Sequence, residues 1–192
     1  MPRKDLREEI EIPEGINAGI KGDEIIMKRV GEGSDKSEGA NELKRRLEGK
    51  IDIKIEGNKV ILESIKTTKN EKKIFGTMKA HINNMIKGLT EGFKYKLKIA
   101  NVHFPMNVSH DKENNQIIIK NFLGEKQDRI AKLVEGVNIK VDKDDIELDS
   151  IDIEKAGQCA ANIEKAARVR NKDRRIFQDG IFIIEKPRRK FM

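Results

Sequence analysis

Tryptophan is absent from this 192-residue chain, and tyrosine occurs once, at Tyr95. With seven phenylalanines as the only other aromatics, base stacking cannot be the main mode of any nucleic-acid recognition. A single cysteine, Cys159, rules out an intrachain disulfide and fits a reducing compartment. No apolar run approaches the roughly 18 residues that a transmembrane helix needs. The opening MPRKDLREEIEIP has no apolar core of a signal peptide, so a cytoplasmic protein without a membrane partner is expected.

Chemistry-bearing patterns are equally scarce. His81, His103, His110 and Cys159 are scattered, with none of the close pairs that zinc sites use, so no metal is expected. There is no G-x-x-x-x-G-K-[ST] and no G-x-G-x-x-G to hold a phosphate or a dinucleotide, and no cofactor is expected. Asp142, Asp144, Asp145 and Asp149 cluster, but in or beside a turn, where short polar side chains serve the backbone and solubility. Nothing assembles a nucleophile, a base and an oxyanion donor. The chain therefore reads as a non-enzyme without a small-molecule substrate. An enzyme would need a pocket around His103 or Cys159.

Charge is what the chain has in quantity: 38% of residues are Asp, Glu, Lys or Arg, and the net charge is +7. Residues 165–192 carry a net +7 and residues 66–98 another +7, which leaves the remainder mildly acidic. The 66–98 stretch has no arginine and reads as a solvated lysine face. The last 28 residues hold six of the 12 arginines. Guanidinium matches phosphate oxygens bidentately and gives up its hydration more readily than ammonium, so the C-terminal segment is the candidate polyanion site. Its candidate ligands are Lys165, Arg168, Arg170, Asn171, Lys172, Arg174, Arg175, Lys186, Arg188, Arg189 and Lys190.

The pattern of apolar residues predicts an α+β fold of two tandem duplicated domains. Each is a small, mostly antiparallel β-sheet system packed with one α-helix. Residues 51–64, IDIKIEGNKVILES, alternate around Gly57-Asn58 as a β-hairpin does, and 137–150, VNIKVDKDDIELDS, repeat the plan about 86 residues later. A helix follows each hairpin. Ile74, Phe75, Met78, Ile82, Met85, Ile86 and Leu89 form one apolar stripe, closed by Gly92. Ala156, Ala160, Ile163 and Ala167 form a thinner one, with Asp152 as N-cap. After each helix the sequence returns to strand, at 93–100 and 180–186, which places the domains at 1–100 and 101–192. IIMKRVGEGSD (25–35) aligns with IIIKNFLGEKQD (117–128), and the Gly- and charge-rich 31–49 stretch reads as a loop with a short helical turn at 41–47.

Duplication makes the difference between the copies informative. ARVRNKDRRIFQDGIF has no counterpart after the first helix, so this basic segment is surplus to folding and is expected to bind an anion. Ile176, Phe177, Ile181, Phe182 and Ile183 read as packing residues that pin it, unlike PRRKFM, which reads as a solvated tail. With few aromatics, structured RNA gripped by its phosphates is the expected ligand. A free-standing nucleic-acid-binding protein or RNA chaperone using the same basic end is the alternative.

HINNMIKGLTEGFKYKLKIANVHFPMNV (81–108), NFLGEK (121–126), GQCAANIEKAARVRNKDRRIFQDGIFIIEK (157–186) and REEIEIPEGI (7–16) resemble the archaeal and eukaryotic branch of the L-six family of large-subunit ribosomal proteins, called L-nine in eukaryotes. The 31–49 stretch lacks that family's usual G-P-x-G-x-L pattern. The resemblance implies a structural constituent of the large ribosomal subunit, on the cytoplasmic ribosome. It implies large-subunit rRNA and neighbouring large-subunit proteins as partners. It also implies a place near the sarcin–ricin region and the base of the stalk, where translation factors dock, with Arg168–Arg175 and the basic residues around Lys186 facing RNA.

Overall fold

Both predicted hairpins are present in the computed structural model, which describes residues 4–30, 42–47, 49, 51–187 and 189–190. In the first, β5 (Asp52–Glu56) pairs antiparallel with β6 (Lys59–Thr67), and the chain reverses through Gly57, whose φ is +56°. The second is built from β11 (Asn138–Val141) and β12 (Asp145–Ser150). The chain as a whole divides into two units, Met1–Glu91 and Gly92–Met192.

In the first unit, β1 (Lys4–Glu11), β6 and β5 form one antiparallel sheet in the order β1-β6-β5. A second sheet joins β2 (Ile16–Lys21), β3 (Glu24–Arg29) and β4 (Glu42–Arg46) in that order. Helix α1 (Lys69–Thr90) packs on β6 and β3 and buries Phe75, Met78, Ile82, Met85 and Leu89 of the predicted stripe, with Ile74 and Ile86 half-buried. A capping box starts it: the Thr68 N–H donates to Glu71 Oε2 at 2.6 Å, and the Thr68 hydroxyl accepts from the Glu71 N–H. Gly92, in the left-handed region at φ +72°, turns the chain away beyond its C-cap, Glu91.

The second unit repeats this order. Strand β7 (Phe93–Ala100) pairs with β12 as β1 pairs with β6, and β8 (Asn107–Asp111), β9 (Gln116–Lys120) and β10 (Arg129–Lys132) form a second three-stranded sheet. Helix α2 (Ile153–Ala166), capped by the Asp152 carboxylate accepting from the Glu154 N–H at 2.9 Å, packs on both sheets. It buries Ala156, Cys159, Ala160 and Ile163. Alternation along β7 sends Phe93, Tyr95, Leu97 and Ile99 inward, and Tyr95, Leu97 and Ile99 belong to the core cluster that includes Ile117, Ile146, Leu148 and Ile163. Complete burial of each such Leu or Ile contributes about 1.5–3 kcal/mol.

Two expectations change here. The join falls at Glu91–Gly92 rather than after Ala100, because β7 is hydrogen-bonded to β12 and to β13 (Gly180–Lys186), both in the second unit. Strand β13 is thus no counterpart of β7: β7 corresponds to β1, and β13 with the short β14 (Arg189–Lys190) extends the sheet of β7, β11 and β12 to the order β11-β12-β7-β13-β14. The copies run from β1 to α1 and from β7 to α2, and everything after α2 is addition. The helical turn expected at 41–47 is instead strand β4, paired with β3 through Met27↔Leu43 and Ile25↔Arg45. Its residues ELKRR favour helix locally, and the open edge of β3 overrides that preference. The loop reading of residues 31–41 lies outside the described residues.

Candidate nucleic-acid interface

Helix α2 ends at Ala166, and the chain runs without regular structure from Arg168 to Asp179 before entering β13. Lys165, Arg168, Arg170, Asn171, Lys172, Arg174 and Arg175 all lie at this helix end or on this loop, and all are exposed. Among the described residues, Lys165, Arg168, Arg170 and Arg174 have no acidic partner within salt-bridge distance. Repulsion among neighbouring cations costs stability, so a folding-only role does not account for them.

The backbone beneath these cations is held by polar ties. Arg129, on β10, donates from Nη1 to the carbonyls of Ala166 at 3.0 Å and Arg168 at 2.8 Å. Its remaining nitrogens grip Glu125 (Nε to Oε2, 2.8 Å; Nη2 to Oε1, 2.6 Å), and its Cζ lies 4.0 Å from the centre of the Phe122 ring. One guanidinium with only 17% of its side chain exposed therefore caps carbonyls at the end of α2 and fixes the start of the loop. The Arg129 hydrogen bonds hold the Glu125 carboxyl below its ordinary range against the opposing effect of burial, and the nearby charges of Lys172 and Arg170 add to this.

The far end of the loop is tied by Asp179, which is 3% exposed. Its Oδ1 accepts from the His103 main-chain N–H at 2.9 Å, and its Oδ2 lies 2.6 Å from His103 Nδ1. Burial alone would raise the Asp179 pKa, but the hydrogen bonds from His103 and the Phe104 backbone outweigh it and leave the carboxyl below its ordinary value. The His103 ring packs on Phe177, centroids 5.2 Å apart, and Lys172 Nζ sits 4.6 Å from the centre of the Phe177 ring. Between the two ties, Asn171 takes a left-handed backbone (φ 56°), which asparagine tolerates. Asp173 accepts from the Arg175 N–H at 2.9 Å and pairs with its guanidinium at 2.9 Å, which lowers the Asp173 pKa.

The anchoring therefore differs from the expected one. Ile181 is buried and Phe177 and Ile183 are half-buried, but Ile176 is 62% exposed and Phe182 37%. The residues that pin the loop, Arg129 and Asp179, are charged, and their partners lie far along the chain. No period in the sequence marks them.

A groove of about 690 Å³ opens between the end of α2, the loop and β13; Lys165, Arg168, Arg174 and Arg175 line it. A smaller depression is lined by Lys165, Arg168, Arg170 and Asn171. Lys186 and Arg189 pair across the β13–β14 turn and line neither; Arg188 and the Lys190 side chain lie outside the described residues. Part of the lysine-rich 66–98 stretch is neutralised within the fold. Lys94, Lys96 and Lys98 stand directly across from Asp149, Glu147 and Asp145, a charge ladder on β7 and β12, and Lys79 pairs with Glu8.

His103 and Cys159 line none of these hollows. Cys159 is fully buried, its sulfur accepting from the Val134 N–H at 3.0 Å, and burial pushes its thiol pKa up. Half-buried His81 lies with Nε2 2.9 Å from Arg45 Nη2. Among the described residues no group of three His, Cys, Asp or Glu could hold a metal, and no helix is long and apolar enough to cross a membrane.

Two copies of one small α+β plan, the second extended by a braced loop of arginines, define a duplicated protein with a built cationic face. The model of the family described as "Ribosomal protein L6" matches residues 12–92 and 104–180. The chain is 47% identical over 182 residues to the large ribosomal subunit protein uL6 of Methanococcus vannielii, covering 94% of each. It is 41% identical to that of Desulfurococcus amylolyticus over 188 residues (94% of this chain, 95% of the relative). With that of Methanobrevibacter smithii the identity is 42% over 182 residues (94% and 96%). The chain belongs to the ribosomal protein L6 family, and is a structural ribosomal constituent, not an enzyme.

Proposed function

We propose that this chain binds large-subunit rRNA as a component of the large ribosomal subunit, with the loop from Arg168 to Arg175 as its principal grip. The observation that carries the reading is the combination of free and fixed. Among the described residues, Arg168, Arg170 and Arg174 have no acidic partner, while Arg129 and Asp179 fix the backbone that presents them. A backbone already ordered spares the cost of ordering the loop on binding, and it suits a folded RNA whose phosphates are themselves fixed. Lys165, Lys172, Lys186 and Arg189 are further candidate phosphate ligands, and so are Arg188 and Lys190, whose side chains lie outside the described residues. Its place would be near the sarcin–ricin region and the base of the stalk, beside neighbouring large-subunit proteins, where it would support the docking of translation factors.

Deleting residues 165–192 is not a fair test, since it removes β13, which pairs with β7. Point changes are. Arg170→Ala with Arg174→Ala should leave the fold intact and weaken retention on large subunits in high-salt co-sedimentation. In competition against duplex DNA, the parent chain should prefer its rRNA. Full retention by the folded double variant would sink the assignment, and equal binding to DNA and RNA would favour a free-standing nucleic-acid binder.

A further inference from the structure

We infer that the groove between α2, the basic loop and β13 receives one unstacked RNA base, held against the Phe182 ring. The inference rests on the rRNA-binding reading above and deepens it. A grip on phosphates alone needs cations on a surface; it does not need an apolar hollow. Yet this hollow is floored by Ala167, Val169 and Ile181 and walled by Phe177 and Phe182, while Arg168 and Arg174 stand among its lining. Its volume of about 690 Å³ lies within the roughly 300–1,000 Å³ of small-molecule pockets, ample for one base. The lining combines apolar area for a base with cations for its phosphates, beside one exposed carboxylate, Glu164.

Phe182 is the anomaly that the base would explain. It is 37% exposed in a strand that begins with buried residues, and it lines the groove rather than the core. Gly180 makes its position possible. A β-carbon there would come within 3.0 Å of the Phe182 ring and 3.3 Å of the Ala167 carbonyl oxygen, so any side chain would displace the ring. Gln178 also lines the groove, and its Nε2 already donates to the Arg175 carbonyl at 3.2 Å, leaving its amide oxygen to accept from a base edge. The scarcity of aromatics in the chain is no obstacle, because one stacked base needs one ring.

The test uses the full chain and protein-free large-subunit rRNA, titrated at several salt concentrations, with base-specific chemical probing of the RNA. Phe182→Leu keeps an apolar side chain and removes the stacking face. It should weaken binding about tenfold without changing the salt dependence, and one unpaired base protected by the parent chain should become reactive. Ala161→Leu, on an exposed helix position lining the groove, fills the space without touching the core and should have the same effect. Parental affinity and footprint in both variants would overturn the inference. If Arg170→Ala with Arg174→Ala loses affinity while these two do not, base insertion alone fails. If none of the three loses affinity, the interface reading fails with it.

Discussion

Arg129 donates to the main-chain carbonyl of Arg168 at 2.8 Å, so a residue of β10 sets the direction in which the basic loop leaves its helix. The same guanidinium holds the Ala166 carbonyl and both oxygens of Glu125. Arg129→Ala strips the partners from two carbonyls and a carboxylate together. Hydrogen bonds to charged groups contribute about 1.5–3 kcal/mol, so a loss of about 2–3 kcal/mol is expected, read as a lower Tm. Arg129→Lys cannot reproduce the fork and should recover less than half of that loss. A lysine variant as stable as the parent would show that charge alone suffices.

The loop arginines divide by partner. Arg175 is tied to Asp173, whereas Arg170 and Arg174 form no ion pair among the described residues. Arg170→Ala with Arg174→Ala should leave stability within about 0.5 kcal/mol of the parent. It should also reduce the slope of log affinity for rRNA against log salt by about one to two. An unchanged slope would mean that these side chains do not meet phosphates.

How much of this the sequence shows depends on whether the cause is local. The hairpins at 51–64 and 137–150 and the stripe of α1 carry their period in consecutive residues, and Thr68–Glu71 and Asp152 mark the helix starts. Strand β4 is hidden because ELKRR has helix-favouring residues and becomes a strand only on the edge of β3. The domain join is hidden because β7 follows α1 in sequence but pairs with β12 and β13. That the second copy carries an added basic segment is legible from the duplication, but not that Val169 and Ile181 within it join the core and so serve folding as well. Nor are its anchors legible, since His103 and Asp179 stand 76 residues apart, and Arg129 and Ala166 37 apart. Reading apolar letters inside the basic run as anchors holds for Ile181 and fails for Ile176.

Acid should loosen the second unit through its two tied carboxyls. Glu125 and Asp179 both lie below their ordinary values of 4.5 and 3.8 in the folded chain. As pH falls, the unfolded chain therefore takes up protons before the folded chain does. The stability these groups contribute is complete above about pH 5 and is lost as pH falls through their folded values. Thermal melts from pH 7 to pH 3 should show Tm falling below about pH 5. Asp179→Asn should start lower, because one of the two acceptor oxygens that serve the His103 N–H and Nδ1 becomes an NH2 donor and the charge is lost, and should fall less steeply. A variant curve parallel to that of the parent would remove Asp179 from the account.

Cys159 offers a probe of whether the core of the second unit opens. Its sulfur is fully buried against α2's neighbours, accepts from the Val134 N–H, and has its thiol pKa pushed up by burial, so little thiolate exists at neutral pH and none is in reach of a reagent. A thiol-reactive disulfide dye should therefore label the native chain slowly, at a rate proportional to reagent concentration and to the small fraction of chains that are open, and label it at once in strong denaturant. Arg129→Ala should speed the native reaction in proportion to the stability it removes, since a loss of about 1.4 kcal/mol raises the open fraction about tenfold. Stoichiometric labelling within seconds in the parent chain would show that α2 does not seal against β10 and the loop that follows it.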